Sequence, residues 1–99
     1  MIDDIFEEIR KERQRQNEKW GEQNWPMLEE WSKPHEMKGA ADYYKEQNQG
    51  GGKFWSSILL EEVYEAFAET KPEKQREEMI QVAAVVVQII EYLDSRLGK

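Results

Sequence analysis

The sequence predicts an all-α protein, an antiparallel helical bundle whose core is completed by association of subunits. Three observations predict it. Apolar residues recur at three- and four-residue spacing in several segments, no stretch alternates in the β manner, and no internal repeat appears. With 99 residues the chain supplies one modest core, so it is expected to form a single domain over residues 1–99 and to gain stability from a homo-dimer or homo-tetramer.

The first helix is expected over roughly Asp4 to Trp20, where Ile2, Ile5, Phe6 and Ile9 share a face and Asp4 with Glu7 has the form of a capping pair. Acidic residues crowd its start, and Arg10, Lys11, Arg13, Arg15 and Lys19 crowd its end. That order complements the helix dipole. Residues 20–52 are expected to form an ordered loop plus a short helix. Gly21, Pro26 and Pro34 break the first part, while Trp20, Trp25, Met27, Leu28 and Trp31 are too aromatic and apolar for a disordered linker, so they are expected to fold over the bundle. His35 to Asn48 can form the short helix. Gly50, Gly51 and Gly52 then end it as a flexible turn and hinge, a stronger expectation for three plain glycines than a phosphate cradle.

From Lys53 to Thr70 the stripe Trp55, Leu59, Val63, Ala66 and Phe67 defines another helix. Pro72 suits a first helical position after the Thr70–Lys71 turn. The last helix should run to about Leu97 and close at Gly98. Between Val82 and Ile90 it is apolar round most of its circumference, which calls for cover from a second subunit.

Composition narrows the function. The net charge is -7, from 14 basic and 21 acidic side chains, and no basic run is present to grip a nucleic acid polymer. The chain has no cysteine and one histidine, His35, so a metal here must take oxygen ligands, which suits Mg²⁺ or Mn²⁺. Met1-Ile2-Asp3-Asp4 is no secretory leader, and Met79 to Ile90 is too short to span a bilayer. A cytoplasmic protein without a membrane partner is expected.

At about 100° per residue, Glu62, Glu65 and Glu69 fall on one flank of the third apolar stripe, with Glu61 pointing toward solvent. Glu78 and Gln81 sit three apart beside the apolar face of the last helix. A short turn makes these helices antiparallel neighbours, so the Glu62/Glu65 pair can face the Glu78/Gln81 pair. Such an oxygen cluster can hold Mg²⁺ among carboxylates, waters and substrate phosphates, with a spare carboxylate as general base.

The segment Glu62-Val63-Tyr64-Glu65, a gap of twelve residues, and Glu78-Met79-Ile80-Gln81 resembles the ExxE…ExxD signature of the MazG-like all-α nucleoside triphosphate pyrophosphohydrolases. Ile58 to Glu61 before it and Val82 to Val87 after it are similar too. Glu12 to Gln16 and Glu18 to Asn24 look like the N-terminal segment of a phage- and bacteria-associated branch. The resemblance implies cleavage of an NTP or dNTP to the monophosphate and pyrophosphate. It implies Mg²⁺ (or Mn²⁺) on Glu62, Glu65 and Glu78, which would be the catalytic residues, and on Gln81. Weighed separately, Trp20 could stack on a nucleobase with Lys19 or Asn24 touching phosphate or base edge, although an apolar filler at the bundle end is the stronger expectation for Trp20. Gln81 stands where the signature has Asp; an amide oxygen can coordinate a metal but brings no charge and cannot act as a base. The alternative is a catalytically silent helical module that binds nucleotide or a protein partner.

Overall fold

The computed structural model describes residues 2–27 and 34–99, and every described regular element is a helix: α1 (Ile2–Trp20), α2 (Pro34–Gln49), α3 (Trp55–Ala68) and α4 (Pro72–Arg96). Two helices begin on a proline, Pro34 and Pro72, where a missing N–H costs nothing and φ is already helical. Among the described residues no helix is long and apolar enough to cross a membrane.

The chain divides into two compact units, residues 1–26 with 87–99, and residues 27–86. In the first, Ile5 of α1 and Val87 of α4 are buried. Ile5, Ile9 and Ile90 line a groove of about 400 Å³ edged by Glu8, Glu12 and Arg13. Arg10 pairs with Glu7 and Arg15 with Glu12, so two of the five basic residues in the α1 cluster are answered by acids of the same helix. The carboxyls of Glu7 and Glu12 are each held below the usual range, first by the hydrogen bond from that arginine. α4 ends in a Schellman motif. Lys99 N–H donates to Asp94 O at 2.8 Å and Gly98 N–H to Ser95 O at 3.3 Å, with Gly98 at φ 78°.

In the second unit α2 and α3 pack as an antiparallel pair, with Tyr44 stacked on Tyr64. The three glycines between them end α2, as expected from sequence. Gly52 N–H donates to Gln47 O at 3.0 Å across Gly51, whose φ of 97° is a conformation L side chains rarely adopt. At the start of α3, Ser57 Oγ accepts from Phe54 N–H at 3.0 Å, and Phe54, having no acceptor, leaves the other half of a capping box unmade. Between α3 and α4, Gln75 is buried and its Nε2 donates to the Glu69 carbonyl at 2.8 Å, satisfying a backbone acceptor at the end of α3.

The tryptophan-rich segment departs from expectation. Trp20 is 54% and Trp25 78% exposed, so neither is covered by its own chain; Leu28 and Trp31 lie outside the described residues. Large apolar side chains on either side of the all-round apolar stretch Val82 to Ile90 are also open to solvent. Ile80, Leu93 and Leu97 are 58%, 46% and 70% exposed. The chain alone does not cover this helix.

Candidate metal centre

Two glutamates of α3 and one of α4 converge. Glu62 and Glu65 are one turn apart, so both project from the same side of α3, and the short turn brings α4 back alongside. Glu62 and Glu78 lie equally far from Thr70 in sequence, the relation expected of facing positions in a helical hairpin. Carboxylate oxygens of Glu62, Glu65 and Glu78 all lie within 4.8 Å of one another. Each of the three residues is half-buried.

Like charges at that distance need compensation, and the structure shows its lack. Glu62 Oε2 and Glu78 Oε2 are both shielded from solvent with no hydrogen-bond partner. A buried, unpartnered carboxylate oxygen is costly. Burial pushes the Glu62 carboxyl above its usual range, reinforced by the charges of Glu78 and Glu61. The Glu65 carboxyl is pushed up to about 7, first by burial, then by a hydrogen bond with Glu61 and by the charges of Glu62, Glu61 and Glu78. These orphaned oxygens, acidic and geometrically convergent, fit a hard divalent cation of the Mg²⁺ class.

Glu61 does not point toward solvent as the helical wheel implied. It is half-buried, accepts from Asn48 Nδ2 at 2.7 Å and is hydrogen-bonded to Glu65. The wheel considered a single apolar stripe, whereas α3 is contacted by α2 as well as α4. Asn48, which sequence reasoning passed over, anchors this arrangement: its side chain also bonds Ser57 in the first turn of α3. The other expected site residues are placed differently. Gln81, one turn along α4 from Glu78, is exposed. Lys19, Trp20 and Asn24 are exposed and belong to the other compact unit, where Lys19 Nζ sits 5.1 Å from the Trp20 ring centroid. Trp20 joins Arg13, Gln16 and Trp25 around an open cleft of about 390 Å³ rather than filling a core.

Neither family profiles, nor curated proteins, nor solved structures match this chain.

Proposed function

We propose that the protein is a Mg²⁺-dependent nucleotide pyrophosphohydrolase that cleaves an NTP or dNTP to the monophosphate and pyrophosphate. The observation that carries this reading is the convergence of Glu62, Glu65 and Glu78 within 4.8 Å, with two shielded oxygens left without partners. The likeness of Glu62 to Gln81 to the MazG-like signature supplies the reaction class.

A bound Mg²⁺ would polarise a phosphoryl oxygen and offset the polyphosphate charge. Glu62, Glu65 and Glu78 would hold the metal from two helices joined by a short turn. Glu61, not needed as a ligand and oriented by Asn48, takes a proton from the attacking water. In the overall step the water oxygen bonds the α-phosphorus, the bond from that phosphorus to the bridging oxygen breaks, and pyrophosphate leaves. The open apolar surface of α4 is covered by a second copy of the chain in a homo-dimer or homo-tetramer.

The test is pyrophosphate release from a panel of NTPs and dNTPs with Mg²⁺ or Mn²⁺. Release lost in Glu62→Gln and Glu65→Gln supports the reading, and no turnover together with no metal binding at millimolar concentration sinks it. A second reading, a silent module that binds nucleotide without cleaving it, is favoured by the uncharged, exposed Gln81. It requires nucleotide to raise the melting temperature without hydrolysis, and hydrolysis to appear in Gln81→Asp.

A further inference from the structure

A cavity of about 380 Å³ opens directly beside the carboxylate cluster, and its walls differ in charge. Glu65, Glu69 and Glu78 line it from α3 and α4, whereas α2 brings Lys38 and Lys45. The two lysines are seven residues apart, which puts them on one face of α2 about 10.5 Å apart along its axis. Between them the wall is low, because the residue there is the buried Ala41, and Ala68 answers it from α3. Lys38 is held by Asp42 on its own helix at 3.1 Å. Lys45 has no ion-pair partner among the described residues, although it shares a cavity with three glutamates. An ammonium left unpaired across a cavity from three glutamates is available to a third group between them.

We propose that α2 is the phosphate-binding wall of the site: Lys45, seconded by Lys38, grips the polyphosphate chain of the substrate, while the divalent cation sits at the cluster of Glu62, Glu65 and Glu78, two of which, Glu65 and Glu78, line the opposite wall. The identity of the anion as a nucleotide polyphosphate rests on the pyrophosphohydrolase reading; the placement of the cations does not. Lysine suits the task as a compact point charge with three donors on a flexible stem. Electrostatics also set an order. Asp42, Glu65, Glu69 and Glu78 outnumber the two lysines around the cavity, so a polyphosphate is repelled until a divalent cation has bound. Metal binds first and phosphate second.

Inorganic tripolyphosphate is a probe that needs no turnover and no base recognition. Calorimetric titration should show Mg²⁺ alone binding to the wild type and to Lys45→Gln with similar affinity. In excess Mg²⁺, tripolyphosphate should bind the wild type and bind Lys45→Gln about tenfold more weakly, the loss of one charge-assisted contact. Lys38→Gln should weaken it less, since that side chain is already shared with Asp42. Lys45 is exposed, so the variant is expected to keep the wild-type melting temperature. Unchanged tripolyphosphate affinity in Lys45→Gln, with Mg²⁺ still binding, overturns the phosphate wall and leaves the metal centre standing. Tripolyphosphate binding as tight without metal as with it overturns the order. A wild type that takes up no Mg²⁺ removes the metal centre and the proposal with it.

Discussion

Asn48 and Ser57 clasp one another across the α2–α3 turn: Ser57 Oγ donates to Asn48 Oδ1 at 2.7 Å, and Asn48 Nδ2 donates back to the Ser57 carbonyl at 3.2 Å. Ser57 is 5% exposed, and the same hydroxyl accepts from Phe54 N–H. Removing the hydroxyl therefore strands polar groups on both sides in a place water reaches poorly. Ser57→Ala should lower stability by about 1–3 kcal/mol in urea denaturation. The neighbouring Ser56 is exposed, and Ser56→Ala should stay within about 0.5 kcal/mol. Equal effects at the two serines would contradict the clasp.

The carboxylate cluster gives metal-free stability a defined pH dependence. Glu65 titrates near 7 when folded, above the ordinary carboxylate value of 4.5. The folded state thus binds the proton more tightly than the unfolded one, so the stabilisation is fully present below about 4.5 and is lost as pH rises through about 7. Glu7 and Glu12, lowered by their arginines, act in the opposite sense and only below the ordinary carboxylate range. Without divalent cations, the melting temperature should fall between pH 5.5 and pH 8 in the wild type and fall less in Glu65→Gln. A flat wild-type profile would show that the cluster does not share a proton.

Mg²⁺ should reverse that profile. The cation competes with the proton on Glu65, so its affinity should rise from pH 6 to pH 8. Glu78→Gln removes one of the converging charges and gives the shielded position an amide donor. The metal-free variant should melt higher than the wild type, while the increase on adding Mg²⁺ should largely disappear. A variant destabilised in metal-free buffer yet still stabilised by Mg²⁺ would place the cation elsewhere.

Helix boundaries were legible because particular residues announce them. Pro34 and Pro72 open helices, Gly98 closes one, and the observed ends fall within about two residues of those expected. The three glutamates were legible because a short turn favours an antiparallel hairpin, and spacing then brings the positions together. Glu61 was misjudged because a wheel drawn for one helix cannot know which neighbour lies on its polar side. Asn48, Ser57 and Gln75 were missed for a related reason. A polar residue near a helix end is usually solvated, and only tertiary packing turns it into a buried clasp. Lys45 carries no local signal at all, since it becomes notable only when the cavity brings acids opposite it.

Exposed apolar residues on α4 give the subunit reading a direct check. Leu93→Glu puts a charge where a partner's apolar surface is expected, at a position 46% exposed in the single chain. Sedimentation should find the wild type as a dimer or larger and the variant shifted toward monomer, with its melting temperature independent of concentration. Helical content should be retained. A wild type that sediments as a monomer at all concentrations ends the subunit reading.

The contact of Gln75 with the Glu69 carbonyl makes the α3–α4 connection a length standard. One residue added inside α4 between Gln75 and Glu78 would turn Glu78 by about 100° about the helix axis and move it by about 1.5 Å relative to the Gln75 anchor. Glu78 would then swing out of reach of Glu62 and Glu65, while the helices themselves could still form. Metal binding should therefore be lost on an insertion in the first two turns of α4 and be far less sensitive to one in the Thr70–Lys71 turn, where a chain accepts extra residues most readily.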